Sequence, residues 1–203
     1  MPSYETIKRM FDFTVVLIAL ILTSPVFLLV AVLIKLDSDG PVLYIKERIG
    51  QGGRPFKFLK FRTMVKGADK IGLGIADGQN DPRITGIGRF LRDWTIDEMP
   101  QFINVLKGDM SLVGPRPWIA YEGNNPKMKS MWQKKISVKP GLVSLVDMKG
   151  RNLLAWEERL KYDSWYIDNQ SFWLDLKILV LGFFAVLSRK GVYGRGGANP
   201  NIH

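Results

Sequence analysis

The sequence lacks two residue types on which many enzymes depend. It has no cysteine among its 203 residues, and its single histidine is the C-terminal His203. The absence of cysteine excludes disulfides, thiolate nucleophiles and cysteine-ligated metals. A histidine base, a Ser-His-Asp triad or a histidine-ligated zinc would need the terminal residue to fold inward, which a tail rich in glycine and asparagine does not favour. The chemistry is therefore expected to depend on carboxylates and basic residues, with Mg²⁺ as the candidate cofactor.

Negative charge is also scarce. The chain has 29 lysines and arginines against 19 aspartates and glutamates, which gives a formal net charge of +10. A strongly basic chain indicates an anionic partner, which could be nucleic acid, an acidic membrane surface or a phosphorylated substrate, and charge alone does not choose among them. The length suits one compact domain together with an anchor.

Charge is absent altogether from one long stretch near the N-terminus. Residues 13–34 contain no charged side chain, and as a straight helix they would reach about 33 Å, enough for the core of a bilayer. The length of this stretch, and the polar sequence Lys35-Leu36-Asp37-Ser38-Asp39 that follows it, argue against a cleaved signal peptide. Hydropathy alone favours a single membrane span.

Two features of this stretch oppose a straight span. Pro25 cannot donate to the carbonyl of Ile21, so a kink is expected, and the hydroxyl of Ser24 can bond that carbonyl instead. Basic residues also occur on both flanks, at 8–9 and at seven positions within 35–62. A straight span would put one basic group on the wrong side of the membrane, whereas a helix that enters and leaves by the same face keeps both in the cytoplasm.

A second apolar stretch, Phe172–Leu187, carries charges near its start and is too short to span a bilayer comfortably. We expect it to form an amphipathic helix in the membrane interface. Four aromatic residues would anchor it at the level of the headgroups: Trp165, Tyr166, Phe172 and Trp173. The alternative is an ordinary buried core helix.

The polar middle of the chain predicts a small β element. Strands are expected at residues 42–45 and 55–62, with a glycine-rich turn at 50–53, and a loop rich in glycine and aspartate is expected at 67–81. Aromatic and basic residues alternate in 55–62, a pattern that could stack on single-stranded nucleic acid. Because a membrane segment precedes it, we expect no nucleic-acid partner.

The densest cluster of chemically useful residues surrounds the adjacent acids Asp97 and Glu98. Thr95 and Glu98 fit a capping box for a helix that ends at Gly108, and this reading needs no catalysis. Pro100 complicates it, because a proline at that depth would break the helix. A bend between the acids and the body of the helix is therefore expected, and such a bend can aim side chains at a ligand.

Two arginines lie in constrained surroundings. Arg116 is flanked by Pro115 and Pro117, which would preorganise its guanidinium for a bidentate contact with phosphate, although an exposed surface turn is the alternative. Arg151 follows Gly150. Two carboxylates, constrained arginines and a membrane anchor together describe phosphoryl transfer at a bilayer surface, where catalysis consists largely of positioning and charge neutralisation.

At these residues the chain resembles the small monotopic phosphoglycosyl transferases, bacterial enzymes that begin glycoconjugate assembly by loading a sugar phosphate onto polyprenol phosphate. The motifs that carry the resemblance extend over almost the whole chain: Ser24-Pro25, Lys60-Phe61-Arg62-Thr63-Met64, Asp97-Glu98-Met99-Pro100-Gln101, Gly108-Asp109-Met110-Ser111, Gly114-Pro115-Arg116-Pro117, Pro140-Gly141 and Gly150-Arg151-Asn152. Two positions depart from the family pattern, since Arg62 replaces a frequent lysine and Val143-Ser144 replaces the usual Thr-Gly.

The resemblance implies a role for each of these groups. Asp97 would be the nucleophile, and Glu98 with Mg²⁺ would handle the charge of the diphosphate. The phosphate-binding residues would be Arg62, Arg92, Arg116 and Arg151. Ser24 and Pro25 would break the membrane helix so that it re-enters, which reverses the preference that hydropathy gives for a span.

The implied fold is a mainly helical α+β domain with a re-entrant N-terminal membrane helix, interfacial amphipathic helices and a small β element. Residues 1–36 would be the anchor and 37–203 the catalytic domain, the two forming one functional unit on the cytoplasmic face of the bacterial inner membrane. The donor would be a UDP-sugar, the acceptor polyprenol phosphate and the released product UMP. The rival hypothesis is a non-catalytic membrane adaptor that binds anionic lipids through its basic surface.

Overall fold

The computed structural model describes residues 3–71, 78, 80–118, 129–189 and 191–193. The helices of this part are α1 Tyr4–Asp37, α2 Gly86–Asp93, α3 Gln101–Lys107, α4 Lys129–Ile136, α5 Leu145–Lys149, α6 Trp156–Asp168 and α7 Phe172–Leu187, and the strands are β1 Leu43–Ile49, β2 Pro55–Phe61, β3 Ser111–Val113 and β4 Gly141–Val143. The predicted class, mainly helical with a small β element, is confirmed. Part of the loop predicted at 67–81 (72–77 and 79) and His203 lie outside the described residues.

The first helix, α1, is the one helix in the described ranges that is long and apolar enough to cross a membrane. It runs from Tyr4 to Asp37 with Pro25 inside it. The hydroxyl of Ser24 donates a hydrogen bond of 2.9 Å to the carbonyl of Ile21, the group that Pro25 leaves without its helical donor. The helix is therefore not interrupted at Ser24 and Pro25, and the re-entrant topology stays a prediction.

The N-terminal half of α1 is fixed to the rest of the protein by buried polar contacts. The guanidinium of Arg9 donates to the carbonyls of Val105 and Leu106 at 2.6 and 2.7 Å. These carbonyls lie near the C-terminus of α3, where a cation is favourable. Asp12, which is buried, accepts a hydrogen bond of 2.6 Å from Ser111 in β3.

A buried carboxylate on α7, that of Asp175, holds the start of α1 from the other side. It pairs with Lys8 and accepts hydrogen bonds from the hydroxyls of Tyr4 at 2.8 Å and Tyr166 at 2.7 Å. Burial, together with the negative charge of Asp175, raises the pKa of both tyrosines, so both hydroxyls stay protonated and donate. The start of α1 is thus joined to α6 and α7.

The C-terminal half of α1 packs on the same body through apolar contacts. The ring of Phe27 lies 5.2 Å from that of Phe61 in β2. Val30 and Ile34 are buried in one cluster with Phe61 and with Leu91 of α2. Because both halves of α1 contact the same domain, the helix has no end that stands free of it. The division into an anchor at 1–36 and a catalytic domain at 37–203, which together form one functional unit, stays a prediction.

The side chain of Arg62 binds the C-terminus of α1 and does not contact the acid pair. Its guanidinium donates to the carbonyls of Ile34, Ser38 and Asp39, around the C-terminus of α1. The last carbonyls of a helix have no partner within it, and they carry the negative end of its dipole, so a buried arginine stabilises them. These contacts give Arg62 a structural role, and its phosphate-binding role stays a prediction.

The predicted hairpin is present. Strands β1 and β2 pair in antiparallel register, from Leu43 opposite Phe61 to Ile49 opposite Pro55. Strand β1 is longer than the predicted 42–45, because its charged second half is paired across the hairpin, with Glu47 opposite Lys57, and carries no apolar alternation that the sequence could reveal.

Strands β3 and β4 pair in parallel. The backbone of Gly114, just after β3, lies directly against the backbone of Gly141 in β4. A Cβ added to Gly141 would lie 2.0 Å from the amide nitrogen of Gly114, so neither backbone could keep its place beside a side chain. This close approach fixes the position of the turn that carries Arg116. The departure at Val143-Ser144 is also explained, because Ser144 caps α5 in a capping box with Asp147.

Helix α7 matches the apolar stretch predicted at Phe172–Leu187. Trp165 and Trp173 are 50% and 76% exposed, as membrane anchors require. The prediction for Tyr166 is wrong, since it is 2% exposed and bonded to Asp175. Adjacent helical residues point about 100° apart, so Trp165 can face outward while Tyr166 faces the core.

The contacts of Arg62 predict that it stabilises the fold. Arg62→Met should lower the free energy of unfolding by roughly 1–3 kcal/mol, because several buried carbonyls lose their donor. Arg62→Lys should cost less, since an ammonium can still reach some of them. Thermal unfolding in detergent micelles measures the change, and Arg54→Met, at an exposed position, is the matched control. Unchanged stability with lost turnover would instead assign Arg62 to phosphate binding.

Candidate active site

The acid pair lies in a 3₁₀ turn, Ile96–Glu98, between α2 and α3. Thr95 precedes it in the left-handed region, with φ 58°, and its side chain makes no cap, so the predicted capping box is wrong. Pro100 is the residue before α3, which begins at Gln101, and Gly108 ends that helix with φ 87°. The predicted C-cap is confirmed. The acids lie outside the body of α3, as expected, in a separate turn that Met99 and Pro100 join to the helix.

Glu98 is buried, at 8% exposure, and is held by two cations. Its Oε1 accepts from Lys60 Nζ and from Arg116 Nη2, each at 2.6 Å. Burial is the largest single influence on its pKa and raises it, but the charges and hydrogen bonds of Arg116 and Lys60 together outweigh burial, so the pKa is lowered. Glu98 is therefore ionised, and the two cations beside it balance its negative charge.

Asp97 has a different environment, although it is the next residue. It is 7% exposed, and its nearest charged partner is Lys60, with Nζ 3.6 Å from Oδ2. Among the described residues we find no hydrogen bond to its carboxylate. Burial raises the pKa of Asp97, Lys60 opposes this rise, the charge of Glu98 adds to it, and the net direction is upward. The result is a poorly solvated carboxylate that is not held by hydrogen bonds.

Arg92 and Arg116 lie within electrostatic reach of Asp97, and both lower its pKa. Arg92 is positioned by a hydrogen bond of 2.7 Å from its Nε to Thr63 Oγ1. The side chain of Arg116 is half exposed, so its guanidinium is open to solvent while one nitrogen bonds Glu98. The Glu98 charge raises the pKa of Arg116, which keeps the cation charged.

Arg151 contacts the acid turn through Thr95. Its backbone is left-handed, with φ 55°, and its Nη2 donates to Thr95 Oγ1 at 3.2 Å. Its Nε lies 3.6 Å from Asp147 Oδ1 on α5. Its Nη1 is buried without a hydrogen-bond partner in the described structure, and a buried guanidinium nitrogen in that state is suited to an anionic ligand.

Of the predicted site residues, the structure brings together Asp97, Glu98, Arg92 and Arg116, with Arg151 joined through Thr95; Arg62 lies elsewhere. Lys60 is the functional residue that sequence reasoning missed. It follows Phe58 at the two-residue period of β2, and its Nζ lies 5.7 Å from the centre of the Phe58 ring. A lysine in the register of a buried aromatic residue was the available signal.

The donor set suits magnesium better than a metal that needs an all-protein cage. The described residues contain no group of three or more histidines, aspartates and glutamates that could hold a metal ion. Mg²⁺ is commonly bound by one or two carboxylates together with waters and substrate phosphates. Asp97 and Glu98 meet that requirement, and both cation contacts of Glu98 are to Oε1. The role of Mg²⁺ stays a prediction.

Comparison with known proteins gives a consistent assignment. Residues 3–189 match the family model described as bacterial sugar transferase. The chain is 40% identical over 186 residues to the uncharacterized sugar transferase EpsL of Bacillus subtilis, covering 92% of this chain and 90% of that protein. It is 36% identical over 200 residues to the exopolysaccharide production protein ExoY of Sinorhizobium fredii, covering 92% and 88%.

A longer relative carries a more specific name. The UDP-glucose:undecaprenyl-phosphate glucose-1-phosphate transferase of Klebsiella pneumoniae is 40% identical over 196 residues, which cover 92% of this chain and 41% of that protein. The chain thus spans less than half the length of this relative.

The unequal environments of the two acids predict opposite effects on stability. Asp97→Asn should stabilise the protein by about 0.5–2 kcal/mol at neutral pH, because it removes a buried charge that is poorly compensated. Functional sites often carry a cost in stability of this kind. Glu98→Gln should destabilise it by roughly 2–4 kcal/mol, because two partly buried cations lose their partner. Chemical denaturation of both isosteric variants measures the two changes, and a loss of stability in both would contradict the assignment.

The pH dependence of these effects has a defined sign. The folded pKa of Glu98 is lowered, so its stabilisation is complete above its unfolded pKa and is lost as the pH falls toward the folded value. The folded pKa of Asp97 is raised, so its cost is absent below its unfolded pKa and grows as the pH rises to the folded value. The gain from Asp97→Asn should therefore disappear in acid.

Proposed function

The chain belongs to the bacterial sugar transferase family, and on that premise we propose that it moves a sugar 1-phosphate from a UDP-sugar to polyprenol phosphate, with release of UMP. The printed names of relatives support these substrates, since the Klebsiella protein is named for UDP-glucose and undecaprenyl phosphate, and a Salmonella typhimurium relative is named undecaprenyl-phosphate galactose phosphotransferase.

The proposal rests on the difference in hydrogen bonding between the two acids of the pair. Glu98 is bonded through Oε1 to Lys60 and Arg116, whereas Asp97 is buried beside them without a hydrogen bond in the described structure. A carboxylate left in that state can act as a nucleophile once its charge is balanced by its surroundings. Lys60, Arg92 and Arg116 supply the balancing charge, both for Asp97 and for the incoming diphosphate.

The proposed reaction has two steps. In the first, an Asp97 oxygen forms a bond to the sugar-bearing phosphorus, the bond from that phosphorus to the bridging oxygen breaks, and UMP leaves with the electron pair. In the second, an oxygen of the lipid phosphate attacks the same phosphorus, and the Asp97 carboxylate is released. Arg116, half exposed beside the acids, and the unpartnered Nη1 of Arg151 are placed to bind the phosphate oxygens in both steps.

Mg²⁺ fits this site as a cofactor held by Glu98 with water and the diphosphate, where it would neutralise charge on the leaving group. The alternative of a non-catalytic lipid adaptor does not account for the acid pair. Burying two adjacent carboxylates costs stability, and a protein that only binds lipid headgroups gains nothing from it.

We propose further that the protein is monotopic, on the cytoplasmic face of the inner membrane, with α1 entering and leaving by that face. Both ends of α1 contact the same domain, through Arg9 and Lys8 at one end and through Ile34 and Ser38 at the other. A straight span would place the two ends of α1 on opposite sides of the bilayer, and one polar domain could not contact both ends. The exposed surfaces of α1 and α7 include large apolar side chains that are more than half exposed: Ile18, Ile21, Leu22, Leu28, Leu29, Leu36, Phe183 and Phe184.

The two-step mechanism predicts a covalent intermediate. Incubation with UDP-sugar and Mg²⁺, without lipid, should release one UMP per active site and add a sugar phosphate to the tryptic peptide 93–107, which contains Asp97. A panel of UDP-sugars identifies the donor, and fragment masses should place the adduct on Asp97 rather than on Asp93 or Glu98. Asp97→Asn should show neither product, and Glu98→Gln should form both slowly. Robust turnover by Asp97→Asn would contradict the two-step mechanism.

The topology can be tested without background labelling, because native cysteine is absent. Single cysteines at Ser3 and Asp39, beside the two ends of α1, should react with an impermeant maleimide only when the cytoplasmic side is accessible. A cysteine at Gln51, in the hairpin, marks the side on which the domain lies. Pro25→Ala should shift part of the population to a span by restoring the backbone bond. Labelling of Ser3 and Asp39 from opposite sides would establish a span in the native protein.

A further inference from the structure

An apolar groove lies between α5, α6 and α7, away from the acid pair. Its volume is about 390 Å³, which is at the lower end of the range for ligand pockets. The apolar side chains that line it are those of Leu145, Met148, Tyr162, Trp165 and Leu174. Such a surface is suited to a hydrocarbon chain, and its size admits only the first part of a long one.

The rim of the groove is positively charged. Three exposed lysines line it, Lys149, Lys161 and Lys177, and no acidic residue does. Lys161 and Lys177 have no ion pair or hydrogen bond within the described ranges, and Lys149 lies 5.8 Å from the centre of the Tyr162 ring. Three such cations around an apolar floor are complementary to a molecule with an anionic head and an apolar tail.

In the membrane orientation proposed above, exposed tryptophans would set the groove at the level of the lipid headgroups. Trp165, which lines it, is half exposed, and Trp173, one turn before Lys177 on α7, is 76% exposed. Exposed tryptophans of this kind are enriched at the boundary between headgroups and acyl chains. The lysines can reach the phosphate layer from this depth because their stems are apolar and their ammonium groups polar.

One wall of the groove is shared with the active site. Helix α5 contributes Leu145, Met148 and Lys149 to the groove. Between them, Asp147 lies 3.6 Å from Arg151, whose Nη2 donates to Thr95 Oγ1, two residues before the nucleophile. A phosphate at the Lys149 side of the groove is therefore separated from the acid turn by a single short helix.

We propose that this groove is the loading site for the acceptor, a lipid phosphate monoester with a polyprenyl chain. The lysines bind its phosphate, the apolar floor covers the first isoprene units, and the remaining chain stays in the bilayer. The inference rests on the proposed function and extends it, since it assigns the acceptor to a surface distinct from the residues that bind the nucleotide sugar.

The test uses the full chain in nanodiscs of phosphatidylcholine that contain polyprenol phosphate. Lys161→Gln combined with Lys177→Gln should raise the KM for polyprenol phosphate about tenfold, by the loss of two charge contacts with the phosphate, with a smaller change in kcat. UMP release from the UDP-sugar without lipid should be unchanged. Lys57→Gln combined with Lys107→Gln removes the same charge from exposed positions outside the groove, and its KM should equal that of the wild type.

Equal KM values for the groove pair and the wild type would overturn the inference, and so would equal increases in both lysine pairs, which would indicate general attraction to anionic lipid. A second readout does not need turnover. A photoactivatable polyprenol phosphate should crosslink to peptides of α5–α7, less so in the groove variant, and an excess of phosphatidylglycerol should not displace it. If the wild type releases no UMP from any UDP-sugar, the proposed function fails, and the crosslinking result still decides whether the groove binds a lipid phosphate.

Discussion

The contact of Glu98 with Lys60 and Arg116 is the interaction on which the site depends. A carboxylate buried at this depth without a partner would be protonated or displaced to the surface, because nothing would offset the free-energy cost of removing it from water. Two cations at 2.6 Å offset that cost. They come from distant parts of the chain, Lys60 from β2 and Arg116 from the turn after β3. The same contact draws three segments together around the acid turn. It also leaves Asp97 the less well compensated of the two acids, which is the condition that a carboxylate nucleophile needs.

Strand β2 couples this site to the membrane helix. Lys60 reaches the acid pair, and two residues later Arg62 binds the carbonyls at the C-terminus of α1. The other end of α1 is held by Asp175 of α7, which also bonds Tyr166 of α6. The apolar faces of α1 and α7 and the acid turn therefore belong to one packed unit. If these helices insert as proposed, their depth in the membrane would set the height of the site above it.

Local patterns in the sequence predicted those features that depend on neighbouring residues. The start of α3 after Pro100, the cap at Gly108, the hairpin and the bounds of α7 follow from backbone restriction and apolar periodicity. Local patterns did not reveal contacts between residues far apart in the chain. Nothing near Arg62 indicates that its guanidinium meets the end of α1, and nothing near Tyr166 indicates a buried partner nine residues away on the next helix. Thr95 fits a capping box by spacing, but Glu98 finds stronger partners, so the local bond is not made.

The claim that Asp97 is a nucleophile freed by the pairing of Glu98 is tested most directly by isotope exchange. Labelled UMP is incubated with the unlabelled UDP-sugar donor and the enzyme in the complete absence of polyprenol phosphate. A covalent intermediate predicts that label enters the UDP-sugar with the wild type, more slowly with Glu98→Gln and not at all with Asp97→Asn. An enzyme that turns over with lipid present but shows no exchange without it would contradict the account, because the lipid would then attack the donor directly.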